Sequence, residues 1–265
     1  MVNNLKFVKY SKNLTTQLDK KFNKSGEKDF NILLEKHTRL FTKSENRFLK
    51  GINPNFKKEI IFNLDDYTRS SLKLGLTTGL MAKALQNGYV AKSEKPIVLQ
   101  GLLITRDNKV VLGLRNKPKF REKLPDEKND FKLMLCPAGY ATFNKKKLLT
   151  KSFYKELEEE LGLFESDIDK IEIMGHNNDI GFTEGIRLSI YAKTDLSFQE
   201  IKKKWKNAKH GWEYADLMGI EFTKDSISKL LRTKDFSAYS EKVNGLVDSS
   251  IRPVLEFILI MHEDL

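Results

Sequence analysis

The chain has 265 residues, 40% of them apolar, enough to bury a sizeable core as one large domain or a domain with an extension. Its net charge of +11 is uneven: up to Tyr154 there are 32 Lys+Arg against 14 Asp+Glu, net +18, and from Lys155 onward 15 against 22, net −7. A lone cysteine, Cys136, excludes an intramolecular disulfide and any multi-cysteine zinc site, and no apolar run reaches the roughly 18 to 20 residues that span a bilayer. The amino terminus, MVNNLKFVKYSKN, has no apolar signal region, so a soluble, reducing, cytoplasmic setting without membrane partners is expected.

Residues 1 to about 50 are polar, lysine-rich and weakly patterned. Within them Asp29 to Phe41 has helical spacing, with Phe30, Leu33, Leu34, His37 and Leu40 near one face. His37 has no second ligand at metal-binding spacing and is read as the edge of a packed face. Gly51 to Asn55 predicts a turn, Lys58 to Leu64 a strand, and Asp65 to Leu85 a helix bent around Gly75 and Gly79. From Pro96 the texture changes. Ile97 to Thr105 and Lys109 to Arg115 are β-rich runs joined by the turn Arg106-Asp107-Asn108, a hairpin pattern. A charged loop from Lys117 to Asp130 leads to the apolar strand Phe131 to Cys136, which ends at Pro137-Ala138-Gly139-Tyr140. Lys145-Lys146-Lys147 then precede a glutamate-rich helix. Strands follow at Lys170 to Gly175, Gly185 to Lys193 and Gly219 to Phe222, and helices at Leu196 to Trp205, Ser226 to Leu231 and Arg252 to His262. Strands and helices interspersed in this way predict an α+β or α/β sandwich with a mixed sheet.

The glutamate helix carries the chemistry. In Lys155-Glu156-Leu157-Glu158-Glu159-Glu160-Leu161-Gly162-Leu163, the residues Glu156, Glu159 and Glu160 stand at i, i+3 and i+4 and share a face. Leu149, Phe153, Leu157 and Leu161 form an adjoining apolar stripe, and Gly162 supplies a left-handed stop. Three crowded carboxylates repel one another unless a cation lies among them, and a hard ion such as Mg²⁺ takes all-oxygen sites and binds phosphate. The competing reading is an ordinary amphipathic helix with a solvated acidic face.

Hairpin, strand, Pro-Ala-Gly-Tyr turn, lysine loop and Lys-Glu-Leu-Glu-Glu-Glu-Leu-Gly-Leu helix together resemble a Nudix hydrolase, whose box reads G-x5-E-x7-R-E-U-x-E-E-x-G-U with U aliphatic. Lys155 to Gly162 matches its second half, with Lys155 in the arginine slot. Residues 97 to 222 carry the likeness. The resemblance implies a Nudix-type α/β/α sandwich over residues 96–265, preceded by an α/β N-terminal extension over 1–95. It also implies metal-binding glutamates at Glu156, Glu159 and Glu160, holding Mg²⁺ or Mn²⁺. Leu112 to Arg115 resembles the arginine-ending strand that precedes the box, and makes Arg115 the first candidate for the leaving phosphate. The box departs from the family in its first half. The first glutamate falls at Lys147, where a lysine would contact phosphate instead, and Gly139 lies two positions before the glycine slot, at Ala141. Leu74-Gly75-Leu76-Thr77, and the run from Ile173 through Glu213 to Phe222, are similar to a branch of pyrophosphatases acting on UDP-glucose and UDP-galactose.

The resemblance therefore implies metal-dependent cleavage of a diphosphate linkage in a small nucleotide substrate, most plausibly a UDP-sugar. The general base would be Glu156 or a loop carboxylate such as Glu184 or Glu213. Two other readings stay open: action on RNA 5′ ends, which the basic front half would suit but which is not favoured, and a non-catalytic nucleotide-binding module, which Lys147 would suit. Cys136, at the end of an apolar strand, is read as a buried structural thiol. Trp205, Trp212, Tyr214 and Phe222 are each either core or a stacking surface for a base. The sequence leaves the oligomeric state open.

Overall fold

The computed structural model describes residues 7–18, 27–39, 52–86, 94–116, 131–143, 148–178, 185–232, 245–247 and 251–261. The chain divides into two compact units, each discontinuous in sequence: residues 1–99, 139–152 and 174–188 in the first, and 100–138, 153–173 and 189–265 in the second. Parallel and antiparallel strand pairs occur together with helices, so the fold is α+β with mixed sheet, as the strand and helix pattern predicts. Among the described residues no helix is long and apolar enough to cross a membrane.

The first unit contains β1 (Phe7–Lys9), β2 (Thr15–Leu18), α1 (Glu27–Thr38), α2 (Pro54–Lys58), β3 (Ile60–Tyr67), β4 (Ser71–Thr78) and α3 (Gly79–Gln86). β4 is the middle strand of a three-stranded sheet, parallel to β2 and antiparallel to β3. This corrects the predicted helix over Asp65 to Leu85, of which only α3 is helical. The reason lies in the side chains of Ser71–Thr78: Leu72, Leu74 and Leu76 recur every second residue, and all three are buried. β1 and β2 were not foreseen. They are three and four residues long and lack the alternating apolar pattern by which strands are read from sequence.

Two buried histidines are tied into this unit. His37 on α1 is 2% exposed; its Nδ1 lies 2.9 Å from Thr78 Oγ1 and its Nε2 lies 3.2 Å from Glu94 Oε1. Glu94 offers His37 Nε2 an acceptor, so in the neutral ring Nε2–H donates to Glu94 and Nδ1 accepts the Thr78 hydroxyl, whose oxygen also accepts the Met81 N–H at the start of α3. Thr77 also donates its hydroxyl to Glu94. Burial works to raise the Glu94 pKa, but the bonds from His37 and Thr77 outweigh it and hold the group below its ordinary value. The packed-edge reading of His37 is thus correct. His176 accepts or shares a proton with the Tyr10 hydroxyl at 2.6 Å and meets the Tyr67 ring edge-on at 4.5 Å.

The second unit is organised around β6 (Lys109–Asn116). It pairs antiparallel with β7 (Phe131–Leu135) on one side and with β11 (Tyr214–Glu221) on the other. β12 (Gly245–Val247) runs parallel to β7. The hairpin from β5 (Ile97–Ile104) to β6 turns through Asn108, whose φ is 54°, and its pairing is recorded at Ile104 and Val110. Beyond that point β5 meets the residues that follow β7: Gly101 N–H donates to Pro137 O at 2.9 Å, and Leu102 bridges Cys136. The Cys136–Pro137 peptide is cis. Cys136 is fully buried, and burial pushes its thiol well above the ordinary value, in keeping with a structural role. Helix α5 (Phe198–Trp205) starts at a capping box made by Ser197 and Glu200. Helix α6 (Lys224–Arg232) buries Ile227 and Leu230, and α7 (Arg252–Met261) buries Val254, Leu255 and Ile258. The remaining elements are β8 (Ala138–Tyr140), α4 (Leu148–Glu156), β9 (Ile168–Asn178) and β10 (Ile186–Thr194).

Candidate active site

The glutamate helix is α4 continued by a π-helical segment, Leu157–Leu161. Leu149, Phe153, Leu157 and Leu161 are all buried, as their spacing predicts. A spacing of four residues drifts by about 40° per repeat on a regular α-helix. A final turn with more residues in it takes up that drift and keeps Leu161 on the apolar side. Gly162 closes the helix at φ 68°, and the Leu163 N–H reaches back to Leu157 O at 3.1 Å, across the widened turn.

The three glutamates diverge in their surroundings. Glu160 is 2% exposed, and its Oε2 accepts the Ala138 N–H at 2.9 Å and the Tyr214 hydroxyl at 2.6 Å. Burial is the main force on its pKa, opposed by Arg115 and reinforced by Glu213, and the group is pushed up to about 7. Glu156, half-buried one helical turn earlier, is pushed up to about 8 by burial and then by the charge of Glu160. Glu159 goes the other way. Its burial is outweighed by the Lys209 Nζ at 2.7 Å, with Lys155 at 3.8 Å and His210 Nδ1 at 3.7 Å, and its pKa is lowered. The backbone is joined there too, His210 N–H donating to Glu159 O at 2.6 Å.

Around Glu160 the second unit arranges the Arg115 cation and the Tyr214 hydroxyl, while Lys155 acts on Glu156. Arg115, at the end of β6, donates from Nη2 to Glu213 Oε2 at 2.5 Å and from Nη1 to Ala138 O at 3.4 Å. Burial would lower its pKa, but Tyr214, Glu160, Glu213 and Glu156 together raise it, so it stays a cation. Tyr214 stands opposite Arg115 in the β11–β6 pairing, and its ring lies over Gly113. A Cβ at Gly113 would come 2.4 Å from that ring, so only glycine lets the phenol reach Glu160.

Of the residues expected from the sequence, Glu156, Glu160, Arg115 and Glu213 are brought together electrostatically. Glu159 is close enough for its charge to act on Glu156, while its own carboxylate is ion-paired to Lys209, with Lys155 and His210 beside it. Among the described residues no group of three His, Cys, Asp or Glu side chains could hold a metal ion. The donor chemistry nevertheless fits a hard divalent ion at two positions. Glu156 and Glu160 are neighbouring carboxylates whose mutual repulsion and burial favour protonation, and a cation would relieve both. Lys147 and Glu184 lie outside the described residues. Lys209, His210 and the role of Tyr214 were not foreseen. Tyr214 is 54 positions from Glu160 in sequence, and no local pattern announces that contact.

No protein-family model matches the chain, and no curated protein matches it. Solved structures do. A mutT/nudix family protein from Listeria innocua is 16% identical with a TM-score of 0.38, over 63% of this chain and 95% of that one. A MutT protein from Methanosarcina mazei is 14% identical with a TM-score of 0.37, over 64% and 96%. A protein from Deinococcus radiodurans is 7% identical with a TM-score of 0.40, over 75% and 98%.

Proposed function

We propose that the protein is a Nudix-type pyrophosphohydrolase, dependent on Mg²⁺ or Mn²⁺, which cleaves the diphosphate linkage of a nucleoside diphosphate derivative in a cytoplasmic setting. A UDP-sugar is the favoured substrate class, giving a nucleoside monophosphate and a sugar phosphate. The observation that carries this reading is the pair Glu156 and Glu160, pushed up to about 8 and about 7, with the Arg115 cation acting on Glu160 and Lys155 on Glu156. Like charges held together at a cost to the fold are the mark of a site built for something other than stability.

Glu156 and Glu160 would hold the ion, joined by Glu159 once it exchanges Lys209 for metal. When bound, the ion neutralises phosphate oxygens and makes a coordinated water more acidic. The chain's own groups do the rest. Arg115 meets the charge developing on the leaving phosphate, and Glu213 orients the guanidinium through its short ion pair. The general base would be Glu156 itself or a loop carboxylate such as Glu213. Lys147 is proposed as a phosphate contact. The test is phosphate release, coupled to a phosphatase, across NDP-sugars, dinucleoside polyphosphates and capped RNA, with and without Mg²⁺. Mg²⁺-dependent turnover of an NDP-sugar is expected; no turnover of any member would overturn the reading.

One observation favours a second reading, a non-catalytic nucleotide-binding module: Glu159 is already neutralised by Lys209, with Lys155 and His210 nearby. Turnover of any diphosphate in the same panel excludes it.

A further inference from the structure

The four aromatic residues that the sequence marks as core or stacking surface separate cleanly. Trp205 is 9% exposed, Tyr214 2% and Phe222 8%, whereas Trp212 is 72% exposed. Trp212 sits in the short 3-10 turn Gly211–Glu213, and the backbone of that turn is held from several sides. Trp205 Nε1–H donates to Gly211 O at 2.8 Å, Gly211 N–H to Ala208 O at 3.2 Å, and Glu213 N–H to His210 O at 2.9 Å. The turn is further tied to the glutamate helix by the bond from His210 N–H to Glu159 O. A large ring is therefore presented to solvent from a backbone that is fixed in place.

Its neighbours say what kind of ligand it suits. Two positions before it, His210 lies beside Glu159 and meets the Trp212 ring edge-to-face at 6.4 Å. One position after it, Glu213 holds Arg115. Lys209, whose side chain is 69% exposed, pairs with the same Glu159. An exposed indole bracketed by ionic groups is poorly suited to an apolar partner surface, and well suited to a flat heteroaromatic ring that carries an anionic group.

We propose that Trp212, positioned by the Gly211–Glu213 turn and flanked by His210, is the platform on which the nucleobase of the substrate stacks. The assignment rests on the hydrolase reading for its setting and adds to it the part of the substrate that sets specificity: the site selects a base-bearing ligand over a bare sugar phosphate. Stacking on an aromatic face tolerates any base, so purine and pyrimidine nucleotides are both accommodated there.

The test measures binding by the full chain in MgCl₂ of UMP, AMP and ribose 5-phosphate, none of which has a diphosphate to cleave. Wild-type protein is expected to bind at least one nucleotide about tenfold more tightly than ribose 5-phosphate. Trp212→Ala should abolish that preference while leaving ribose 5-phosphate affinity and thermal unfolding unchanged, and Trp212→Phe should keep most of it. A wild-type protein without the preference, a Trp212→Ala variant that retains it, a parallel loss of ribose 5-phosphate binding, or a change of oligomeric state in Trp212→Ala would each overturn the platform. The hydrolase reading fails separately: no turnover with a Trp212-dependent base preference removes the hydrolase and keeps the platform, and turnover with a Trp212-independent preference does the reverse.

Discussion

Each unit buries a small set of ionisable groups, and the two sets are built on opposite principles. In the first unit His37, Glu94, Thr77 and Thr78 pair donor with acceptor throughout, and the one carboxylate is held below its ordinary pKa. In the second unit Glu156 and Glu160 face like charge, and both are pushed above theirs. The first arrangement stabilises the fold that contains it. The second works against its fold and is tolerable only if something outside the protein gains from it. Burial alone does not distinguish function from structure; the sign of the shift beside a specific partner does.

The contrast breaks most sharply at Glu160. Glu160→Gln keeps a carbonyl oxygen to accept from Ala138 and Tyr214 but removes the charge that Glu156 opposes. Turnover should fall on the order of a hundredfold or more while the melting temperature holds or rises. Wild-type rates from this variant, or a large loss of stability, would place Glu160 with the structural set. His37→Ala should do the opposite: about 2 kcal/mol of stability lost, because Glu94 keeps only Thr77 and the Thr78 hydroxyl loses its ring partner, and little change in kcat. An unchanged unfolding midpoint would show that the His37 cluster contributes nothing.

A third measurement concerns His176, whose pKa is lowered to about 4, first by burial and then by Lys95. The unfolded chain takes up a proton near pH 6.5, whereas the folded chain does so near pH 4. The stability from this group is therefore fully present above pH 6.5 and is lost as the pH falls toward 4. His176→Gln should flatten that part of the stability curve, measured as melting temperature against pH; identical curves would refute the assignment. The smallest effect is expected at Glu158, which is a carboxylate of the same helix outside the pair. Glu158→Gln should be close to neutral for both turnover and stability.

The sequence made much of this legible where a local period carries the information. The stripe of Leu149, Phe153, Leu157 and Leu161, the β5–β6 hairpin and the helix read at Leu196 to Trp205 all depend on residues within a few positions of one another. Where partners are distant, the sequence was silent. The Glu160 contacts to Ala138 and Tyr214 are 22 and 54 residues away in the chain, and the pairing of Glu159 with Lys209 spans 50. Helical spacing put three glutamates on one face, which is correct for the helix taken alone, but it cannot show that Lys209 and His210 draw the middle one aside. β4 was misread because Gly75 and Gly79 look like breaks in a helix, when Leu72, Leu74 and Leu76 already alternate.

The widened turn at Leu157–Leu161 bears on how this helix tolerates insertion and deletion. Removing one residue from α4, ahead of this turn, would instead rotate everything beyond the deletion by about 100° against the apolar stripe. Leu161 and Leu163 are fully buried, and Gly162 occupies a left-handed conformation that other residues adopt only with strain. The rotation would carry those leucines toward solvent and put a side chain at the left-handed position. Acidic residues and apolar stripe are thus locked in one reading frame. Single substitutions can alter the charges of this helix one by one, but a shift in its length forfeits the packing and the site together.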